Sequence, residues 1–164
     1  MINTLFFYDT TIGKVGIKEN SSQITELYFE KEESRKGSHF MDHIDAVLTE
    51  TPLLKLANQQ LMEYFSGQRK TFNLPLAPKG SPFQLKVWKA LLDIPYGETR
   101  SYKDIAIAAG NPKASRAVGM ANNRNPISII IPCHRVIGSD GKLVGYGGGL
   151  PVKEYLLALE KRNI

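Results

Sequence analysis

A lone cysteine followed directly by a histidine and an arginine is the part of this sequence best equipped for chemistry. The 164 residues include one cysteine, Cys133, in the run Pro132-Cys133-His134-Arg135-Val136. A thiol acts as a nucleophile in its thiolate form, so a cysteine of ordinary pKa, about 8.5, needs a neighbouring base, a cation or a helix N-terminus. His134 and Arg135 are both candidates for this task. The alternative is that Cys133 is an inert, small hydrophobic residue of the core.

The apolar run before the cysteine, Ile127-Ser128-Ile129-Ile130-Ile131, predicts a buried strand that ends next to Cys133. In an extended chain, neighbouring side chains lie on opposite faces. Cys133 and His134 can therefore cooperate only if the backbone turns at this point or if a water molecule relays the proton.

The sequence offers little for a metal or a membrane. One cysteine cannot form an internal disulfide, and zinc sites normally need several Cys or His ligands, so we expect no metal and no cofactor. His39 and His43 have the spacing of one helix face, but no third ligand is near them, and a surface pair is the simpler interpretation. No apolar run approaches the roughly 20 residues of a membrane span. Because the short apolar start, Met1–Tyr8, lacks the features of a signal peptide, we expect a cytoplasmic protein, or a nuclear one in a eukaryote.

Charge divides the sequence into two parts. Residues 1–77 hold 8 Lys and Arg against 10 Asp and Glu, a net charge of −2, whereas residues 78–164 hold 13 against 6, a net charge of +7. Two prolines and a glycine between Phe72 and Ser81 interrupt periodic structure at the same place. We therefore predict two domains, 1–77 and 78–164. The basic half is where a polyanion would bind, although a solvated basic face also explains the surplus.

The N-terminal half is predicted to be α+β. Three β-prone segments, residues 3–8, 14–18 and 23–30, are separated by turn signals and predict a small antiparallel sheet. A helix is predicted from about Pro52, which suits a first helical position, to Ser66, with Gly67 at its end.

The C-terminal half is predicted to be mainly helical. Ser81 is a helix cap, and the helix after it runs toward Pro95. Ser101, with Asp104 three residues later, predicts a second helix that ends at Gly110. A third helix is predicted over residues 114–123. Two short helices joined by a Gly-Asn-Pro turn match the outline of a helix-turn-helix, an outline that also occurs where two helices merely pack together.

A series of motif blocks over residues 81–160 resembles the O6-alkylguanine-DNA alkyltransferases, also called methylated-DNA–protein-cysteine methyltransferases. The blocks agree with the family in order and spacing. Their combination is specific to the family, whereas any single block alone would be weak evidence. They are Ile94-Pro95-Tyr96-Gly97-Glu98-Thr99, Ser101-Tyr102, the run from Gly110 to Gly119, Asn125-Pro126, Pro132-Cys133-His134-Arg135-Val136, Tyr146-Gly147-Gly148-Gly149-Leu150 and Val152-Lys153-Glu154. The resemblance implies a supporting N-terminal α+β domain, ribonuclease-H-like, and a C-terminal winged helix-turn-helix domain.

The resemblance also implies a reaction. Cys133 is similar to the residue that takes an alkyl group from O6 of a flipped-out guanine and keeps it, so that each molecule acts once. His134 would accept the thiol proton through a water, and Glu160 would orient the imidazole. Tyr102 would supply a proton or hydrogen bond to the leaving guanine. Asn125 would tie the helix-turn-helix to the cysteine segment.

Further positions are implied for the base and the DNA. The guanine pocket would be lined by Tyr102, Val136, Tyr146, Gly147 and Gly148, with backbone carbonyls near Cys133 and Val136 accepting from the base. Gly147 stands where some relatives have serine, so a hydrogen bond to O6 there would come from the backbone. Arg116 resembles the finger that fills the space left by the extruded base, between the small residues Ser115 and Ala117. Candidate phosphate contacts, with plain surface charge as the alternative, are Lys113, Arg124 and Lys103.

The expected partner is therefore double-stranded DNA that contains O6-alkylguanine, with no obligatory protein partner and a monomeric chain. Acceptance of O4-alkylthymine stays open. A lesion-binding relative that does not transfer the alkyl group is one alternative, and Cys133 argues against it. A thiol hydrolase is another, but it has no use for the helix-turn-helix or for Arg116.

Overall fold

A computed structural model of the chain describes residues 2–30, 46–146 and 148–164, so that His39, His43 and Gly147 lie outside the described residues. The chain separates into two compact units, Met1–Pro78 and Lys79–Ile164. Within the described residues, every helix is too short or too polar to cross a bilayer.

Outside residues 31–45, the first unit contains a four-stranded mixed sheet. Strands β1 (Asn3–Thr10), β2 (Gly13–Asn20) and β3 (Gln23–Phe29) pair in antiparallel order, which confirms the three predicted strands. Strand β4 (Ala46–Leu48) pairs parallel with β1, and the sheet order is β3-β2-β1-β4. The sequence analysis missed β4 because three residues are too few to show a periodicity. The sheet is consequently mixed and not wholly antiparallel.

One helix, α1 (Pro52–Phe65), packs against the first three strands of this sheet. Its first turn is capped by the Thr51 side chain, which accepts a hydrogen bond from Leu54 N at 3.1 Å. The chain leaves the helix through Gly67, whose φ of +80° suits glycine. Leu54 belongs to the buried face, whereas Leu56 is 41% exposed, so an apolar side chain does not by itself mark the buried face of this helix. The prediction of this helix is otherwise confirmed.

In its described residues, the second unit contains four α-helices, one turn of 3₁₀ helix and a small two-stranded sheet. The helices are α2 (Pro82–Leu92), α3 (Tyr102–Ala108), α4 (Ser115–Asn123) and α5 (Leu150–Arg162). Strands β5 (Arg100–Ser101) and β6 (Val136–Ile137) pair in parallel. The pair α3 and α4 is the predicted helix-turn-helix, and β5 joins it to the segment that follows Cys133.

Side chains at the helix starts explain where α2 and α3 begin. The Ser81 and Ser101 hydroxyls each accept a hydrogen bond from the backbone N–H three residues later. The side chains of those later residues, Gln84 and Asp104, accept in turn from the backbone N–H of the serine. Each reciprocal pair satisfies two backbone donors that a helix start would otherwise leave unbonded. Helix α4 has no such side-chain cap at its N-terminus.

Residues 127–131, predicted to be a strand, instead form a buried series of tight turns. Ile130 N donates to Ser128 O at 2.8 Å, and Ile129 has a φ of +71°, a region that β-branched residues rarely adopt. The strand prediction was wrong because an apolar run indicates burial but does not determine the backbone conformation. Hydrogen bonds from the Asn125 side chain, described below, hold the segment in its turned form.

Candidate functional site

Cys133 begins a single turn of 3₁₀ helix, Cys133–Arg135. The turn follows a tight bend in which Cys133 N donates to Ile131 O at 2.8 Å, and Arg135 N donates to Pro132 O at 3.0 Å. Cys133 forms no disulfide, and the residue is 4% exposed. Because the backbone turns here, the geometric condition for cooperation between Cys133 and His134 is met.

His134 is fully buried and bound to a carboxylate. Its Nε2 lies 2.6 Å from Oε2 of Glu160, in the last turns of α5. Its Nδ1 is also buried and has no hydrogen-bond partner within the described ranges. A neutral imidazole carries one N–H, so donation from Nε2 to Glu160 makes Nδ1 the nitrogen that can accept a proton.

Arg135 binds the same carboxylate through two of its nitrogens. Its Nε lies 2.8 Å from Oε1 of Glu160, and its Nη2 lies 3.0 Å from Oε2. Its Nη1 donates to Ile94 O at 2.7 Å, and the guanidinium lies 5.7 Å from the centre of the Tyr96 ring. Arg135 was one of two candidates to activate Cys133 directly. Its guanidinium instead makes a two-pronged ion pair with Glu160.

These contacts set the charges of the buried carboxylate and imidazole. Burial tends to raise the pKa of Glu160, but the hydrogen bonds and positive charges of His134 and Arg135 outweigh it and lower that pKa to about 2. Burial lowers the pKa of His134 below its ordinary value, against the raising effect of Glu160, and the positive charges of Arg135 and Lys153 lower it further. Glu160 is therefore ionised and His134 neutral near pH 7.

Tyr102, the first residue of α3, faces the segment before the glycine run. Its hydroxyl donates to Val144 O at 3.1 Å. Burial raises the pKa of this phenol, and the negative charge that Cys133 carries as a thiolate raises it further. Tyr102 thus stays protonated near pH 7 and is close enough to Cys133 for their charges to interact. A Cβ on Gly119 of α4 would lie 3.8 Å from the Tyr102 ring, so the two helices of the pair approach closely there.

A buried lysine in α5 was missed by the sequence analysis. Lys153 has 0% exposure, and its Nζ donates to Val136 O at 2.6 Å, to Val144 O at 2.9 Å and to Gly145 O at 3.4 Å. Burial lowers the pKa of its ammonium, and a Cys133 thiolate would raise it. Lys153 belongs to the motif block Val152-Lys153-Glu154, but a lysine in an amphipathic helix is normally expected to be solvated. Only the surrounding carbonyls reveal its role.

Asparagine side chains tie the helix-turn-helix to the cysteine segment. Asn125 Oδ1 accepts from Ile127 N at 3.0 Å, and Asn125 Nδ2 donates to Ile131 O at 2.8 Å. Asn122 Nδ2, in α4, donates to Cys133 O at 3.3 Å. The sequence analysis singled out Asn125 and did not find Asn122.

The carbonyls expected to accept from a guanine are already engaged. Cys133 O accepts from Asn122 and from Val136 N, and Val136 O accepts from Lys153. Among the other predicted pocket residues, Tyr146 and Gly148 are half-buried, and Gly147 lies outside the described residues.

The residues predicted to bind DNA lie on or next to α4. Arg116 and Ala117 are exposed in its first turn, and Ser115 is half-buried at its first position. Lys113 precedes the helix and Arg124 follows it directly, and both are exposed. Lys103 is exposed on α3. The structure therefore brings the basic side chains to one helix pair, whose buried side holds Asn122 against the cysteine turn.

Two family models together match most of the chain. The 6-O-methylguanine DNA methyltransferase ribonuclease-like domain matches residues 5–78, and the DNA-binding domain of the same name matches residues 82–162.

Curated relatives agree with these matches. A constitutive methylated-DNA–protein-cysteine methyltransferase of Bacillus subtilis is 50% identical over 154 residues, which are 93% of this chain and 92% of the relative. A protein of the same name from Methanosarcina barkeri is 66% identical over 108 residues, 66% of this chain and 68% of the relative.

Solved structures agree as well. The Mycobacterium tuberculosis O6-methylguanine methyltransferase has a TM-score of 0.88 and 43% identity, and the match covers 99% of this chain and 95% of that one. The Mycobacterium tuberculosis OGT in complex with DNA has a TM-score of 0.85 and 45% identity over 98% of this chain and 94% of that chain.

Proposed function

Because the chain belongs to the 6-O-methylguanine DNA methyltransferase family, which repairs DNA by direct transfer of an alkyl group to a protein cysteine, we propose that its acceptor is Cys133. The sequence has no other cysteine. The observation that carries the assignment is the neighbouring imidazole, whose Nε2 is bound to Glu160 and whose buried Nδ1 is left to accept a proton.

These contacts support the following reaction. The Cys133 thiol gives its proton to His134 Nδ1 through a water, and Sγ attacks the alkyl carbon bound to O6 of guanine. The S–C bond forms as the C–O6 bond breaks, the electron pair of that bond leaves with guanine, and the thioether remains on the protein. Glu160 stabilises the imidazolium that forms, as the carboxylate of a catalytic triad does. Lys153 stabilises the transient thiolate by its charge.

Tyr102 acts on the leaving group. A guanine that departs with the electron pair carries negative charge unless it receives a proton or a hydrogen bond. The Tyr102 phenol stays protonated and is close enough to Cys133 for their charges to interact. We assign it as the donor to the departing base, and we assign Tyr146 and Gly148 to the pocket that receives the base.

DNA binding falls to α3 and α4. Arg116 replaces the extruded base in the stack, and its small neighbours Ser115 and Ala117 allow the backbone to approach the duplex. Helix α4 lacks a side-chain cap, so its first N–H groups are free to meet a phosphate. Lys113, Arg124 and Lys103 add phosphate contacts. In this proposal the protein works on duplex DNA as a monomer, and residues 1–77 serve as a supporting domain.

The proposal is tested with duplex DNA in which O6-methylguanine carries a radiolabelled methyl group. The protein is mixed with this DNA, denatured and counted, and the modified residue is located by peptide mass spectrometry. We expect at most one methyl group per molecule, on Cys133, and no label in Cys133→Ser. The matched control is Ser139→Ala, an exposed change beyond the cysteine turn that should leave transfer intact.

Two outcomes would contradict the assignment. Tight binding to the modified DNA without any transfer would make the chain a lesion-binding protein. Label on a residue other than Cys133 would show that the assignment of the acceptor is wrong, although the methyltransferase activity itself would remain.

A further inference from the structure

Three ionisable side chains meet in the buried interior of the second unit. Glu160 is 1% exposed, His134 0% and Arg135 7%. The two carboxylate oxygens of Glu160 accept from His134 Nε2, from Arg135 Nε and Nη2, and from Gly97 N at 3.2 Å. These four contacts all bring a donor to the carboxylate, which holds it as an anion.

A buried anion needs a compensating positive charge, because water is not there to solvate it. Two neighbours can provide that charge. Arg135 carries it permanently, since a guanidinium does not lose its proton in proteins. His134 can carry it only by taking up a proton at Nδ1, the same atom that must stay unprotonated to accept the proton of Cys133.

The position of Arg135 is fixed by contacts beyond the carboxylate. Its Nη1 is anchored on Ile94 O at 2.7 Å, just after α2, and its guanidinium lies over Tyr96. The planar fork then presents Nε and Nη2 to the two oxygens of Glu160 in the two-pronged geometry that a lysine cannot reproduce.

We propose, on the basis of the function proposed above, that Arg135 is a positioning residue that supplies the counter-charge of Glu160 and thereby keeps His134 a neutral base before alkyl transfer. Glu160 can then orient the imidazole without drawing a proton onto it. When the Cys133 proton arrives during the reaction, the same carboxylate stabilises the imidazolium.

The other charged groups around His134 act in the same direction or appear only during the reaction. Lys153 of α5 adds positive charge, which also disfavours a resting imidazolium. Cys133 is negative only after its proton has left. The pKa of Tyr96 is raised, first by burial and then by the negative charge of Glu160, so this phenol is neutral near pH 7. The lowered pKa of His134 agrees with this balance.

The test replaces the guanidinium with an uncharged side chain of similar length, in Arg135→Met. Without its counter-charge, Glu160 should draw a proton onto His134, so the His134 pKa should rise by about one unit or more. The pH at which the rate of single-turnover methyl transfer rises should then be about one unit higher than in the wild type. At pH values below the wild-type midpoint, a shift of one unit should make transfer about tenfold slower, and the difference should shrink to nothing at higher pH.

The matched control is Arg69→Met in the first unit. Arg69 Nε also lies 2.8 Å from a glutamate, Glu63, and its Nη1 also donates to a backbone carbonyl, Thr71 O at 3.0 Å. The pair is partly exposed and far from Cys133 along the chain. Its loss should leave the pH profile of transfer unchanged.

A second measurement does not depend on transfer. The His134 imidazole is titrated by NMR on histidine-labelled protein, with its signal assigned through its loss in His134→Gln. In Arg135→Met the midpoint should move to higher pH, and Glu160→Gln in the same chain should move it back. Arg135→Lys, which keeps the charge but not the fork, should give a smaller shift and covers the case that the methionine variant does not fold.

The outcomes separate the two proposals. If the wild-type protein shows no transfer, the proposed acceptor role of Cys133 is wrong. The NMR titration then still tests whether Arg135 lowers the pKa of His134. If Arg135→Met slows transfer equally at every pH and the His134 midpoint does not move, Arg135 has only a structural role, and the present inference is overturned.

Discussion

At the scale of single residues, the carboxylate of Glu160 is the group on which most of the site depends. It orients His134, binds Arg135 and receives Gly97 N, and its pKa is held at about 2 against the ordinary 4.5. A folded-state pKa below the unfolded one means that the group stabilises the folded protein above the unfolded pKa. That stability is lost as the pH falls through the folded pKa.

This linkage makes a prediction for acid unfolding. A difference of about 2.5 pKa units corresponds to about 3 kcal/mol, present at pH 5 and above and lost gradually between about pH 4.5 and pH 2. Glu160→Gln should therefore be less stable than the wild type at pH 7, by about 3 to 5 kcal/mol because Arg135 is also left without its partner. Urea unfolding at several pH values should show this difference shrinking toward acid.

The control for that series is Glu63→Gln, which breaks the partly exposed pair with Arg69 and should change the free energy of unfolding by about 1 kcal/mol or less. A difference between wild type and Glu160→Gln that stays constant from pH 7 to pH 3 would contradict the assigned charge of Glu160.

At the scale of secondary-structure elements, α4 connects the face proposed to bind DNA to the cysteine turn. Its exposed face carries Arg116, and from its buried face Asn122 donates to Cys133 O. Trp88 Nε1 of α2 donates to Ala121 O of α4 at 2.9 Å, which gives the helix a second buried anchor. A helix held in this way can present one arginine to the duplex at a set distance from the thiol.

Arg116→Ala should therefore impair repair of duplex DNA selectively. Extruding a base costs a few kcal/mol, and loss of the side chain that fills the gap should slow transfer from duplex DNA by about tenfold or more. Transfer from O6-methylguanine supplied as the free base should change little, because no stack is opened. Arg162→Ala, an exposed change at the end of α5, serves as control. An equal loss of transfer rate on duplex DNA and on the free base would show that Arg116 does not fill the space left by the extruded base.

The elements differ in how far the sequence could predict them. The caps Ser81 and Ser101 are local signals, and α2 and α3 begin where those signals predict. The segment 127–131 shows the opposite case, because its turned form depends on Asn125 closing it from outside the apolar run. Lys153 and Arg135 also could not be interpreted from the sequence. It shows that both are basic, but their hydrogen-bond partners lie in other segments that only the fold brings next to them.

At the scale of the whole molecule, charge is separated between the two units. The basic surplus of +7 falls in residues 78–164, where the predicted DNA contacts lie, and residues 1–77 carry −2. A basic surface that neutralises phosphates releases counterions, so binding weakens as salt rises, in proportion to the number of contacts.

The salt dependence gives a count of those contacts. Lys113→Ala and Arg124→Ala should each weaken DNA binding at all sequences and lower the slope of log K against log salt by about 1. Lys55→Ala, an exposed change in α1, should leave the slope as it is. Titration of fluorescent duplex DNA between low and physiological salt measures all three variants. An unchanged slope in Lys113→Ala or Arg124→Ala would make that residue ordinary surface charge.

One oxygen atom in the second unit has two donors of different kinds. Val144 O accepts from the Tyr102 hydroxyl and from the Lys153 ammonium. If Tyr102 rotates toward an incoming base, Lys153 still satisfies this carbonyl, so no acceptor is left bare. The phenol can then exchange one acceptor for another at little cost in free energy, which suits the proton-donor role proposed for Tyr102.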